Sequence, residues 1–136
     1  MDTPVIIRKI ALAHIKDRKV IMVRSAKNDE VFYMLGGKLE NDESEIECLS
    51  REVKEEISAS IVTNSLKFLH EFEGSAHGKE NTTVNIKLYT GEIIGEPMAS
   101  NEIAEVQYFD ASVDRKHLGV VSIQILDWLR EHDYIN

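Results

Sequence analysis

Three glutamates in the middle of the chain have the spacing of a cation-binding cluster. Glu52, Glu55 and Glu56 stand at positions i, i+3 and i+4, which share one side of a helix. Like charges at these spacings destabilise a bare helix by about 0.2–0.5 kcal/mol per pair. Converging carboxylate oxygens are the preferred ligands of hard cations such as Mg²⁺ or Mn²⁺. The alternative is that the three glutamates form a solvated acidic face. Without the surrounding residues, this is the favoured interpretation.

The helix that carries these glutamates also has an apolar side that would anchor it. Its apolar positions form one stripe beside the carboxylates: Ile46, Leu49, Val53 and Ile57. This stripe predicts that the helix packs against a core. Ser44 is the predicted N-cap, with Glu47 completing a capping box. We therefore expect the helix to begin just after Ser44 and to end between residues 57 and 60.

The residues around the cluster decide between the two interpretations. Gly37 is followed after five residues by Glu43, and after seven more by Arg51-Glu52-Val53. This pattern resembles the signature of the Nudix hydrolases, G-x5-E-x7-R-E-U-x-E-E-x-G-U, in which U is aliphatic. Six fixed identities and the first aliphatic position match. With roughly 5–10% usage per residue type, such a match arises by chance about once in a million chains of this length.

Three positions depart from the family pattern. Ser58 replaces the final glycine, Ala59 is a weak last aliphatic, and Leu35 stands where many relatives have a proline. The missing glycine would cap the helix in the left-handed conformation. Ser58 should therefore cost about 1 kcal/mol or let the helix continue for a turn. These departures affect the cap and the preceding turn, and they leave the carboxylates intact.

The resemblance implies hydrolysis of a nucleoside diphosphate linked to another moiety X, with Mg²⁺ or Mn²⁺ as cofactor. The implied metal ligands are the Gly36 carbonyl, Glu52, Glu55 and Glu56. Arg51 would orient a glutamate of the cluster, and Glu43 would buttress the loop or join the outer metal shell. A glutamate of the cluster, or an acid outside the signature, would activate water.

Two glutamates outside the signature could supply that further acid. Glu105 directly precedes a predicted strand at residues 106–109, so the sheet would hold its position. Glu102 lies deeper in the loop after Pro97 and reaches the site only if that loop folds back. We therefore predict Glu105 as a metal ligand or water-orienting base, with simple surface exposure of both as the alternative.

The expected substrate contacts are Arg24, Gly37 and Lys38. A solvated strand end is the alternative for Arg24, and a salt bridge to a nearby glutamate is the alternative for Lys38. His77, in a loop that could overhang the site, is a weaker candidate because loop histidines are usually solvated. Cys48, the only cysteine, is expected to be a small half-buried filler rather than a catalytic thiol.

The remaining patterns predict the order of the elements. A strand at 5–15 and one at 20–23 are expected to form a hairpin, and a third at 31–35 leads to a turn at Gly36-Gly37. Later strands are expected at 61–72, 80–94 and 106–109, followed by a helix at 120–129. With the resemblance, this order predicts an α/β fold, a Nudix-type α/β/α sandwich with a mixed β-sheet, as a single domain over residues 1–136.

Composition and net charge limit the classes of molecule that we expect the protein to bind. The formal charge of −8 argues against a surface that binds nucleic acid, and no apolar run approaches the length of a membrane span. We expect a cytoplasmic monomer or homodimer acting on a small nucleotide diphosphate-type molecule. A nucleoside triphosphate, including an oxidised one, is the first choice. Nucleotide sugars, ADP-ribose, dinucleoside polyphosphates and a binding module without turnover remain alternatives.

Overall fold

A computed structural model of the chain describes residues 3–27, 31–76 and 78–136. Its strands are β1 Val5–Ala13, β2 Ile15–Lys16, β3 Lys19–Ser25, β4 Tyr33–Lys38, β5 Ser60–Ile61, β6 Lys67–Ser75, β7 Thr82–Thr90, β8 Ile93–Ile94 and β9 Ile103–Phe109. Its α-helices are α1 Glu45–Ile57 and α2 Val120–Glu131.

The main sheet is mixed and has β1 near its centre. Its order is β2-β3-β4-β1-β7-β6, with β9 paired to β3. Strand β1 pairs antiparallel with β4 and parallel with β7. Strands β5 and β8 form a separate two-stranded sheet.

Alternation along β1 explains why both faces of the sheet are covered. Ile10 and Leu12 belong to a buried cluster with the apolar stripe of α1, whereas Ala11 and Ala13 belong to a second cluster with α2. Successive side chains of a strand point to opposite faces, so β1 contributes to both cores. The predicted α/β/α sandwich with a mixed sheet is confirmed. Neither described helix has the length and apolarity needed to cross a bilayer.

The predicted hairpin between the first two strands was wrong in extent. Only β2, at Ile15–Lys16, pairs with β3, because β4 lies between β1 and β3 in the sheet. The two glycines, expected in a turn, lie inside β4 opposite β1. A Cβ on Gly36 would lie 2.1 Å from the carbonyl oxygen of Ile10. Close passage of two strands, rather than a turn, therefore requires glycine there.

The apolar stripe of α1 was also wrong at its first residue. Ile46 is 39% exposed, and Cys48 is buried in the cluster instead. Glu45 accepts hydrogen bonds from Tyr89 Oη at 2.5 Å and Lys87 Nζ at 2.9 Å, so Glu45 is the first-turn residue that reaches the sheet. Ile46, one step further round the helix, consequently points outward.

Candidate active site

Both ends of helix α1 are fixed by hydrogen bonds. The Ser44 hydroxyl accepts from the Glu47 N–H at 3.1 Å, and the Glu47 carboxylate accepts from the Ser44 N–H at 2.8 Å. The predicted capping box is therefore confirmed. At the other end Ser58 adopts the left-handed conformation, with φ 56°, and its N–H donates to the Lys54 carbonyl at 3.1 Å. The helix thus ends at Ile57 without its family glycine.

The loop before β9 folds back onto the last turn of α1. The Ser100 N–H donates to the Glu56 carbonyl at 3.0 Å, and the Asn101 amide donates to the Glu55 carbonyl at 2.7 Å. Carbonyls in the last turn of a helix lack intrahelical partners, so these donors satisfy them. The contacts bring Glu102 beside the glutamates of the helix.

An acidic cavity of about 240 Å³ opens between this loop and α1. Its charged lining consists of Glu52, Glu55, Glu56 and Glu102, and its neutral lining includes Ser25 and Ser100. The structure thus brings together the three predicted helix carboxylates and one acid from outside the signature. We refer to this space as the acidic cavity.

Arg51 fixes the orientation of the glutamates around it. Its Nε and Nη2 donate to Glu43 at 2.7 and 3.0 Å, and its Nη1 donates to Glu52 at 2.6 Å. The Glu55 carboxylate lies 3.6 Å from the same nitrogen. The hydrogen bond from Arg51 lowers the pKa of Glu43 to about 2. Glu43 is therefore anionic and anchors the guanidinium, which in turn positions Glu52.

Glu56 is the glutamate whose charge is most disfavoured. Burial raises its pKa to about 8, and the neighbouring carboxylates of Glu52 and Glu55 add to the effect. The Gly36 N–H donates to Glu56 Oε1 at 2.9 Å, which partly opposes this rise. A proton therefore occupies Glu56 at neutral pH unless a cation compensates its charge.

Gly37 lies against the carboxylate of Glu52. A Cβ at this position would come within 2.3 Å of Glu52 Cδ, so the backbone passes the carboxylate with no room for a side chain. The Glu52 side chain is 15% exposed, and burial raises its pKa although Arg51 opposes the shift. The two glycines of β4 thus contact two of the three helix carboxylates.

The two acids outside the signature have different surroundings. Glu102 lines the acidic cavity and forms an ion pair with Lys27 at 2.7 Å. Glu105 lies in β9 opposite Arg24 of β3 and forms an ion pair with it at 3.1 Å. Gln107 also donates a hydrogen bond to Glu105. Neither Arg24 nor Glu105 lines the acidic cavity, so this pair occupies the sheet beside it.

A second cavity of different character lies on the side of the sheet that α2 covers. Its walls come from β1, β4, β7 and the start of α2, and apolar side chains dominate them; we refer to it as the apolar cleft. Gly36 and Gly37 line it, and they also contact Glu56 and Glu52 of the acidic cavity. The two glycines are therefore the boundary between an apolar space and an acidic one.

Two further predicted residues, Lys38 and Cys48, do not line the acidic cavity. The Lys38 side chain is exposed and lines a surface depression with Val5 and Leu39, while its carbonyl accepts from Arg51 Nη2 at 3.2 Å. His77 lies outside the described residues. Cys48 is fully buried, and burial raises its thiol pKa to about 12, so the predicted filler role fits better than a nucleophile.

The donor chemistry of the acidic cavity fits a divalent cation. Its carboxylates are hard oxygen donors, and burial, with repulsion from neighbouring carboxylates added, raises the pKa of both Glu52 and Glu56. Among the described residues, no three His, Cys, Asp or Glu side chains already surround a single point. Glu52 is turned toward Arg51 and Glu56 toward the Gly36 N–H. Small side-chain rotations would be needed for these carboxylates to bind one cation.

Sequence reasoning placed Glu102 second to Glu105 and gave no indication of Lys9. Glu102 was the weaker choice because a return of its loop was not visible in the sequence. The signal that could have predicted the return is the pair Ser100-Asn101, whose polar side chains can satisfy helix carbonyls. Lys9, which lines the apolar cleft, lies in an apolar strand pattern and gave no signal of its own.

Comparison with known proteins agrees with the fold and the signature. A family model described as the NUDIX domain matches residues 7–129. The MutT protein of Methanosarcina mazei Go1 superposes with a TM-score of 0.79 at 15% identity, covering 98% of this chain and 99% of that one. The ORF135 protein of E. coli superposes with a TM-score of 0.73 at 20% identity, covering 95% and 94%. No curated protein matches the chain in sequence.

A further similar structure is that of a UDP-X diphosphatase, with a TM-score of 0.67 at 17% identity, covering 98% of this chain and 66% of that one. Likeness at such low identity describes the fold and not the substrate. The family match spans nearly the whole sandwich and includes the Gly37 to Glu56 signature. The chain therefore belongs to the Nudix family and is a hydrolase acting on pyrophosphate bonds.

Proposed function

We propose that the protein is a Mg²⁺- or Mn²⁺-dependent pyrophosphohydrolase of nucleoside triphosphates. The observation that carries this proposal is that Gly36 and Gly37 line the apolar cleft and also contact Glu56 and Glu52 of the acidic cavity. A nucleoside triphosphate has the same division, with a flat base at one end and an anionic chain at the other. The two glycines let the substrate pass close to the backbone between them.

The apolar cleft favours a nucleobase over a second sugar. Apolar side chains form most of its walls, and these suit the flat face of a base. The polar side chains in its wall are few and include Ser75 and Ser122. A sugar with several hydroxyls would leave most of them without a hydrogen-bond partner, and each buried unpaired hydroxyl costs roughly 1–3 kcal/mol.

In the acidic cavity, Glu52, Glu55 and Glu56 would hold the cation. A bound divalent cation supplies positive charge where negative charge develops on the transferring phosphoryl group. Arg51 keeps Glu52 oriented, and Glu43 keeps Arg51 in place. These two residues act through the ligands and are positioning residues.

For the water-activating acid we propose Glu102 in place of Glu105. Both acids are ion-paired, Glu102 with Lys27 and Glu105 with Arg24, but only Glu102 lines the acidic cavity together with the helix glutamates. An acid within hydrogen-bond reach of the attacking water can accept its proton as the bond to phosphorus forms. Glu105 would then hold Arg24 in place beside the site.

The test is turnover of a nucleotide panel with Mg²⁺, with separate assays for phosphate and pyrophosphate. The panel contains normal and oxidised nucleoside triphosphates, nucleotide sugars, ADP-ribose and dinucleoside polyphosphates. We expect nucleoside triphosphates to give nucleoside monophosphate and pyrophosphate with the highest kcat/KM. Glu52→Gln is the matched control for contaminating hydrolases. A higher kcat/KM for a nucleotide sugar or ADP-ribose would overturn the proposed substrate, and no turnover of any compound would overturn the proposed activity.

A further inference from the structure

Lys9 lines the apolar cleft, and its positive charge interacts with Glu56 and Glu52 of the acidic cavity. It lies in β1, its half-buried side chain lines the apolar cleft, and its Nζ lies 5.5 Å from the centroid of the Tyr33 ring. The carboxylates of Glu56 and Glu52 act on it electrostatically. Lys9 is therefore within the field of the acidic cavity while its side chain lies against an apolar wall.

The ammonium of Lys9 has little compensation within the protein. Burial is the main influence on it and lowers its pKa, and the carboxylates of Glu56 and Glu52 oppose this fall only in part. Among residues 3–27, 31–76 and 78–136, its recorded partner is the face of the Tyr33 ring, and no carboxylate forms an ion pair with it. A buried charge without a hydrogen-bonded counter-ion is unfavourable. This location therefore favours an anionic ligand.

Other lysines make the same point independently. Lys9 is the direct cross-strand partner of Lys38 in the β1–β4 ladder, and the charges of Lys38 and Lys79 both act against that of Lys9. Like charges directly opposite each other in a sheet are destabilising. An anion lying between Lys9 and Lys38 would remove this repulsion and neutralise the buried ammonium.

We propose that the Lys9 ammonium binds a phosphoryl oxygen of the substrate where its phosphate chain passes Gly36 and Gly37. This inference rests on the proposed function, because it requires a substrate that extends from the apolar cleft into the acidic cavity. The Lys38 contact predicted from the signature region would then be shared, with Lys9 on the interior side and Lys38 on the exposed side. Binding would use the charge of Lys9 and would not require it to transfer a proton.

The experiment measures binding without turnover. Methylenediphosphonate, a diphosphate analogue whose P–C–P bridge cannot be hydrolysed, is titrated with Mg²⁺ by calorimetry into the parent protein, Lys9→Met, Lys9→Arg and Lys67→Met. Lys67 is an exposed lysine at the start of β6 and serves as the matched control. We expect Lys9→Met to weaken binding about ten- to one-hundred-fold, the range for a lost charged hydrogen bond. Lys9→Arg should retain most of the affinity, and Lys67→Met should equal the parent.

If Lys9 had only a structural role, Lys9→Met would bind methylenediphosphonate as tightly as the parent does. Methionine keeps the length of the side chain and removes an uncompensated charge, so Lys9→Met should unfold at or above the melting temperature of the parent. If Lys9→Met does not fold, Lys9→Gln serves for the same titration. Parent-like binding in the neutral variant, or no binding by the parent itself, would overturn the inference. Turnover of the parent on the nucleotide panel is a separate readout, so failure of the proposed function can be distinguished from failure at Lys9.

Discussion

The glutamates of α1 differ in solvent exposure, and we expect this difference to give them different roles in cation binding. The Glu55 side chain is 52% exposed, that of Glu52 is 15% exposed, and burial raises the pKa of Glu56 to about 8. Cation ligands must be deprotonated, so cation binding near neutral pH should release a proton from Glu56. Affinity for the cation should consequently increase as the pH rises toward 8.

Glu56 also makes stability depend on pH. Its folded pKa of about 8 lies above its ordinary value of 4.5, so between these values the folded state holds more protons than the unfolded state. The free energy of unfolding of chelator-treated protein should therefore fall as the pH rises from 4.5 to 8 and level off above that range. Thermal melts of the parent and Glu56→Gln across this range test the point. An equal slope in the two proteins would contradict it.

The choice between Glu102 and Glu105 is also a question about single residues. Glu102→Gln should lower turnover about 10²- to 10⁴-fold at saturating Mg²⁺, the scale of a lost acid–base group. Glu105→Gln should retain most of the turnover, because its carboxylate contacts Arg24 and Gln107 rather than the acidic cavity. The reverse result would restore the sequence-based choice of Glu105. If both variants kept parental turnover, the base would lie among the helix glutamates.

Among the secondary-structure elements, α1 is held at its two ends by different sets of hydrogen bonds. A capping box fixes its start, and Ser58 together with the loop at Ser100 and Asn101 fixes its end. The helix, its N-cap and its carboxylate face could be predicted from the sequence, because helical spacing and local capping are properties of neighbouring residues. The return of the loop that carries Glu102 could not, because it depends on which distant donors reach the helix carbonyls.

Strand β4 is a second feature that could not be predicted from local sequence. Gly36 and Gly37 predict a turn by local propensity, yet they are strand residues because β1 and Glu52 approach their backbone. Contacts with β1, far away in sequence, override the local preference for a turn. The glycines could be assigned to the site from the signature, but their geometry required the sheet.

Substitution of Ser58 tests the left-handed cap at the end of α1. Its φ of 56° is left-handed, a conformation that glycine adopts without the steric cost of a side chain. Ser58→Gly should therefore raise the free energy of unfolding by about 1 kcal/mol or less, partly offset by the greater freedom of glycine in the unfolded chain. Denaturant unfolding measures this change. A large loss of turnover in this variant, with folding intact, would show that Ser58 has a role in the chemistry.

At the scale of the molecule, the sandwich gives α1 and α2 opposite faces of one sheet. The acidic cavity lies at the end of α1 and the apolar cleft lies beside the start of α2, and Gly36 and Gly37 of β4 line the cleft while contacting Glu56 and Glu52. The fold and the carboxylate cluster could be predicted because a specific signature carries them. The substrate could not be derived in this way, since most of the residues that line the apolar cleft lie outside the signature.

The central claim is that the carboxylates of α1 form the cation site at which a diphosphate is hydrolysed. Its most direct test is turnover of the preferred nucleotide by the parent protein, Glu52→Gln and Glu55→Gln, with excess chelator and then with Mg²⁺ or Mn²⁺ restored. We predict that parental turnover disappears in chelator and returns with either cation, and that each variant loses about 10²- to 10⁴-fold while remaining folded. Mn²⁺ should also raise the melting temperature of the parent more than that of either variant. Full turnover in excess chelator, or parental turnover in both variants, would contradict the claim.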